Sequence, residues 1–429
     1  MKDLVIKIDK SYLQLDVDKF NLLVVKPLFI FLIYFGVYSR TSGFVGFTGG
    51  QTTVLASFGL FMAAVIHIVF FKKSLKLSNF AFLIATFFVC SAVLPFLSTF
   101  VFQLAPMRII RYSFEVGINF FMFFSIYYFV REKVITPKFF LYSIAFLGAF
   151  AALSYLRIAL QSISIYRIYG LSGLNTLGNS FALGIFTWIL IIYQKSSGDW
   201  ARFKRYISYV CLFALFLGLL FTGTRSALIA LFFGIAIFQF LGMRSKSFTR
   251  YVILFFTVLT LLIVIIALNI DMTNLLRRFS SESIIRMALI RFSIYANSVT
   301  DLTLLDFLFG RPDYYIFSNQ EDDFINPHNL FLATIRYNGI FIFLILSLIF
   351  IGLFRKYFVL FWKHSNQKYF RVNETSIIIL FLMVVIYTMF SGGRITRSFN
   401  FFITLGYAAG YFELFQNVKS YEEYKKLIV

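Results

Sequence analysis

Apolar runs of roughly 16 to 26 residues recur along the whole of this 429-residue chain, and that recurrence constrains its fold more than any motif. Each run is about long enough to cross a ~30 Å hydrocarbon layer as a helix. Backbone polar groups in lipid must bond within their own segment, so helices are the expected form. The alternation of an outer-membrane barrel is absent. Hydrophobic residues make up 60% of the chain, against about half in a soluble domain. The expected fold class is all-α: a polytopic integral membrane protein, with residues 1–429 forming a single membrane domain.

The expected spans are 22–39, 53–71, 79–100, 112–130, 139–157, 179–194, 206–222, 226–242, 251–270, 329–354, 375–391 and 399–415, twelve in all. Their connections alternate in character. One set carries KKSLK (72–76), REKVITPK (131–138), KSSGDWARFKR (195–205), RSKSFTR (244–250) and the basic stretch 355–371. By the positive-inside rule these face the cytoplasm, together with both termini. The polar lead MKDLVIKIDKSYLQLDVDKF has no small-residue cleavage motif and reads as a retained cytoplasmic segment. The two cysteines, Cys90 and Cys211, both lie in apolar runs and imply no disulfide or CxxC metal site.

This topology puts 26 basic residues inside and 14 outside, and all 19 lysines are among those inside. Every basic residue outside is therefore an arginine. Total charge helped to draw the topology, but that procedure did not separate lysine from arginine, so the segregation is independent information. Snorkelling arginines at an interface are the plainer explanation. The chemical one is that a guanidinium presents a planar fork suited to phosphate oxygens, whereas an ammonium is a point charge. An arginine-only surface suggests an anionic, phosphate-bearing ligand.

Three stretches on that side stand out. YRIYGLSGLNTLGNS (166–180) places Arg167 before Gly170, Gly173 and Gly178 and before Asn179, which lets backbone approach a ligand. TGTRSALIALFFG (222–234) reverses the chain in a few residues, with Thr224 suited to cap a helix and Arg225 in its first turn. The macrodipole opposes a cation there, and an anion bound at the helix start would explain the placement. The third stretch is the long loop 271–327. Its first part predicts an amphipathic helix along the membrane, with Ile284, Met287, Ile290, Ile294 and Val299 on one apolar side and Arg286 elsewhere. Its later part, GRPDYYIFSNQEDDF, offers Tyr314 and Tyr315 for stacking against sugars, though interfacial tyrosines are common.

The loop ends in NPHNLFLATIRYNGI (326–340). Asn326 suits a helix N-cap, Pro327 the first helical position and His328 the first turn, where the dipole would keep the imidazole neutral. Arg336 would lie about 12 Å deeper on roughly the same face, where a charge is costly unless it meets a cavity or ligand. Of the other histidines, His67 reads as a packed or hydrogen-bonded group and His364 as a solvated one. With no histidine pair at ligand spacing, a metal site is not expected.

In their order and spacing these stretches resemble the O-antigen polymerase and O-antigen ligase family, the Wzy/WaaL-type membrane glycosyltransferases. The matching residues are Arg167, Gly170 and Asn179, TGTRSAL around Arg225, the Arg286 helix leading to LFG (308–310), and PHNLFL with Gly339. They cover roughly residues 155–345; the remaining spans match only as apolar helices.

The resemblance implies transfer of a glycan from an undecaprenyl pyrophosphate donor to an acceptor hydroxyl at the periplasmic face of a bacterial inner membrane, without metal, cofactor or nucleotide sugar. It implies His328 as general base, with Arg167 and Arg225 on the pyrophosphate. Arg286, Arg291 and Arg336 are further pyrophosphate candidates, and Asn179, Asn329, Tyr314 and Tyr315 are substrate-binding candidates. Partners would be lipid-linked donor and acceptor oligosaccharides, the bilayer and a chain-length regulator protein, with no nucleic acid. The phenylalanine-rich composition and the sugar-facing loop incline the reading to a polymerase. A ligase acting on lipid A-core and a flippase for the same lipid are the alternatives. Arg394 and Arg397 fit either the site or an anchor for the last spans.

Overall fold

The structure is a computed structural model and describes residues 4–8, 11–38, 49–72, 78–102, 106–161, 174–193, 200–239, 281–300, 302–310, 329–363, 368–391 and 399–416. After a short antiparallel hairpin of β1 (Leu4–Ile8) and β2 (Ser11–Leu15), all regular structure among the described residues is helical. The helices are α1 (Val17–Tyr38), α2 (Gly49–Ile66, prolonged by a π-helical turn to Lys72), α3 (Asn79–Phe102), α4 (Pro106–Arg131), α5 (Pro137–Gln161) and α6 (Leu174–Tyr193). They continue with α7 (Trp200–Thr222), α8 (Arg225–Ile237), α9 (Ser281–Thr300), α10 (Leu304–Phe309), α11 (Leu330–Lys363), α12 (Lys368–Ser391) and α13 (Phe399–Gln416).

Each predicted span coincides with one of these helices except 251–270, which lies outside the described residues. Among the described residues six helices are long and apolar enough to cross a membrane, and four shorter apolar ones accompany them. The fold is that of an all-α membrane protein.

Glycines set how closely the helices approach. The sequence GYAAG puts Gly406 and Gly410 on one face of α13, and an added Cβ would stand 2.8 Å from the Phe123 carbonyl oxygen and 2.6 Å from that of Tyr127. Only a bare Cα lets α13 lie this near the α4 backbone, the small-residue device that membrane helices use where lipid offers no hydrophobic drive for association. The order of those contacts shows that α4 and α13 run parallel. Phe350 against Phe401 and Tyr357 against Phe412 make α11 parallel to α13 as well. Phe350 against Phe381 and the Tyr357 hydroxyl against Thr375 make α12 antiparallel to α11.

Two ends of the bundle follow from this register. One gathers the starts of α4, α6, α8, α11 and α13 with the ends of α1, α7 and α12; it carries Arg225 and Arg336 and is called the arginine end below. At the opposite end Glu413 of α13 accepts hydrogen bonds from the Ser78 and Tyr127 hydroxyls. Lys356 lies 3.9 Å from the same carboxylate, and Arg131 donates to the Tyr127 oxygen at 3.3 Å. His67 is buried with Nδ1 2.8 Å from the Tyr128 hydroxyl, the hydrogen-bonded role that its sequence context suggested.

Candidate functional site

At the arginine end, α6 and α7 form an antiparallel pair whose contacts are cut to fit glycine. Gly218 lies against Phe181, Gly184 against Leu215, and Gly178 against the turn between α7 and α8. A Cβ on Gly178 would stand 2.5 Å from Thr224 Oγ1 and 2.8 Å from Thr222 Oγ1. The two sequence motifs LGNS and TGTR, 45 residues apart in the chain, are thus in contact.

The turn itself rests on Gly223, whose φ of 61° is accessible to glycine at no steric cost and whose N–H bonds the Leu220 carbonyl. Thr224 is then extended, in N-cap position, and Arg225 opens α8 half-buried, as the sequence predicts. Thr224 makes no side-chain capping bond. The first N–H groups of any helix lack intrahelical acceptors, so the start of α8 pairs a cation with donors that favour an anion.

Beside this turn Asn179 is completely buried, and neither its amide oxygen nor its amide nitrogen has a hydrogen-bond partner among the described residues. Leaving such groups unpaired costs about 1–3 kcal/mol, so the arrangement asks for a ligand or a function. Its neighbour Ser180 is fully engaged: its hydroxyl donates to the Val37 carbonyl at 2.6 Å and accepts from Asn400 Nδ2 at 3.2 Å. These bonds bring together the end of α1 and the starts of α6 and α13. Sequence reasoning missed Asn400, although an asparagine at the first turn of an apolar span was the available signal.

The second cluster is built on a break in α11. Gly339 has φ 79° and ψ 172°, and there the helix kinks. Gly310, with φ 75°, caps the short helix α10 and lies against it. A Cβ on Gly310 would stand 2.5 Å from the amide nitrogens of both Asn338 and Gly339, and one on Gly339 would overlap the Leu308 carbonyl. The LFG turn of the loop is therefore seated in the kink. Thr303 and buried Asp306 close a capping box at the other end of α10, a T-x-x-D signal readable in the sequence. Asn338 Nδ2 donates to the Tyr112 hydroxyl and so ties the kink to α4.

The start of α11 corrects one expectation. Asn329, not Asn326, is the cap: its Oδ1 accepts from the N–H groups of Phe331 at 2.9 Å and Leu332 at 3.2 Å, and the helix begins at Leu330. A start at Pro327 with His328 in the first turn does not hold, and the dipole argument for a neutral imidazole goes with it. Asn329 was expected to bind substrate, but its amide oxygen is committed to the cap, which leaves Nδ2 for a ligand.

The arginines separate by surroundings. Arg336 is buried, and its guanidinium donates to the Ser298 carbonyl of α9 at 3.5 Å, so it ties the loop helix to α11. Arg291 is half-buried and lies two helical turns before Ser298, hence on the same side of α9. Arg286 is exposed. Sequence alone did not choose between Arg286 and Arg291; burial favours Arg291. Arg167, His328, Tyr314, Tyr315, His364, Arg394 and Arg397 lie outside the described residues.

An all-α membrane protein with two glycine-cornered polar clusters at one end of its helices is the class that this geometry defines. The chain matches no known protein family, and no curated protein matches it.

Proposed function

We propose that the protein is a membrane glycosyltransferase of the O-antigen polymerase kind. It transfers a glycan from undecaprenyl pyrophosphate to the hydroxyl of an incoming lipid-linked repeat unit, at the periplasmic face of a bacterial inner membrane. Twelve spans with both termini in the cytoplasm, and the long loop 271–327 on the periplasmic side, go with this reading.

The observation that carries it is the contact of Gly178 with Thr222 and Thr224. It brings the segment of Asn179, whose buried amide is unpaired among the described residues, to the start of the helix that Arg225 opens, and a guanidinium, helix N–H groups and an amide are donors that a pyrophosphate with adjoining sugar hydroxyls would engage. Pyrophosphate is already a good leaving group. The enzyme's tasks are to neutralise its developing charge and to deprotonate the attacking hydroxyl. In this proposal Arg225 and Arg167 hold the pyrophosphate, Arg291 assists, and His328 takes the hydroxyl proton. Arg336 moves from phosphate binding to positioning α9.

A ligase acting on lipid A-core uses the same chemistry and differs only in the acceptor. A flippase is the reading from another class, and it would look to the buried carboxylate of Glu413. That group lies at the end opposite Arg225 and Arg336 and is bonded to Ser78 and Tyr127. Purified protein mixed in detergent with lipid-linked oligosaccharide separates the three readings. A polymerase lengthens the glycan without a sealed membrane, a ligase forms product only when lipid A-core is added, and a flippase forms none. Loss of lengthening in His328→Ala, with the protein still folded, is the expected companion result; full activity in that variant would remove His328 from its role.

A further inference from the structure

The loop helix α9 has two unlike sides. One is held to the bundle by polar contacts: the Tyr295 hydroxyl donates to the Met389 carbonyl at 2.9 Å, and the carbonyl of buried Ser298 receives Arg336. The other side turns outward, and an apolar stripe runs along it, flanked by exposed Arg286, Ser293 and Asn297. Ile285, Leu289 and Phe292 recur at helical spacing there with exposures of 60%, 65% and 72%. Leu304 of α10 adds a fourth exposed apolar side chain.

A helix face turned to water would carry the opposite pattern. At 20 residues α9 is long enough to cross a membrane, yet it is not among the helices whose composition permits crossing. Tyr295 ties its level to that of α12. Met389 lies two residues before the end of α12 at Ser391, so the bond to its carbonyl holds α9 beside the end of that apolar helix. Exposed Arg286 flanks the stripe, as a guanidinium at the level of lipid phosphates would.

We propose that the outward stripe of α9, together with Leu304, is a lipid-contacting surface: α9 lies in the membrane interface with Ile285, Leu289 and Phe292 among acyl chains and Arg286 at the headgroup phosphates. The stripe differs from the face that sequence periodicity picks out, and the proposal does not depend on the glycosyl transfer proposed above. Its consequence is an arginine-bearing loop floated at a fixed depth, level with the phosphates of any lipid-linked substrate in that leaflet.

The test uses the full chain with Cys90 and Cys211 replaced by alanine and a nitroxide placed on a cysteine at 285, 289 or 292. The protein is reconstituted in vesicles of phosphatidylethanolamine and phosphatidylglycerol. Oxygen, which partitions into lipid, is expected to relax these labels several-fold more than a water-soluble nickel chelate does. Dominant relaxation by the chelate would place the stripe in water, and labels shielded from both reagents would place it under protein, such as a second copy; either result overturns the proposal. The unmodified chain provides a second measurement. A membrane-partitioned photoactivated carbene reagent should mark the peptides containing Leu289 and Phe292, and their absence among the marked peptides would count against lipid contact.

Discussion

Gly310 and Gly339 meet backbone to backbone, each in a positive-φ conformation and each too close to the other's segment to carry a side chain. The contact joins a loop turn to a kink inside an apolar helix, so each glycine supports a conformation in the other's strand of chain. Gly339→Ala or Gly310→Ala should each cost about 3 kcal/mol, from the strain of positive φ combined with overpacking. Thermal unfolding in detergent measures this. Gly117→Ala is the control, because nothing lies within 4 Å of the place its Cβ would take, and it should shift stability by less than about 1 kcal/mol.

Asn179 offers a prediction whose sign separates binding from structure. Its buried amide is unpaired among the described residues, so Asn179→Leu removes a group that costs about 1–3 kcal/mol and should leave the melting temperature unchanged or raised. Glycan lengthening should fall at the same time. A loss of both stability and activity would mean that the amide serves the fold.

Arg291 and Arg286 should differ in activity. Removing a charge-assisted hydrogen bond worth about 1.5–3 kcal/mol lowers a rate roughly 10- to 100-fold, the expected effect of Arg291→Ala. Arg286→Ala, on the exposed flank of α9, should leave lengthening within about threefold. Comparable losses in the two variants would show that burial does not distinguish them.

Glu413 should matter to stability and not to chemistry. Glu413→Ala leaves Ser78, Tyr127 and Lys356 without their common acceptor. Part of that network reaches solvent, so the cost should be about 2 kcal/mol, below the 3–5 kcal/mol typical of a broken fully buried pair. Activity below the new melting temperature should be retained. A collapse of substrate translocation in vesicles, with folding intact, would favour transport.

Local signals in the sequence were enough for the helices themselves and for the turn at Thr224 and Arg225, since span length, a capping residue and a nearby glycine suffice there. The start of α11 was misread because Asn326 and Asn329 both suit a cap, and the choice is made by which backbone N–H groups each can reach. The outward side of α9 was not legible for a different reason. A loop helix between lipid and a protein interior has two apolar surroundings, and periodicity does not say which face meets which. Ile290 is 43% exposed and Ile294 half-buried, although the same expected stripe contained both. The kink at Gly339 was not legible, since its counterpart is the Leu308 carbonyl, distant in the chain. Arg336 was read as a charge that is costly unless it meets a cavity or ligand; one partner among the described residues is the Ser298 carbonyl, which no spacing in the sequence announces.

The bonds from Ser180 to Val37 and from Asn400 to Ser180 also bear on how the molecule is made. Ribosomes deliver α1 first, α6 midway and α13 later than either, so for most of translation Ser180 has one of these partners and awaits the other. Packing of α13 onto α4 through Gly406 and Gly410 is the step that brings Asn400 home. A chain released before Phe399 would insert most of its helices and still lack the arginine end in assembled form.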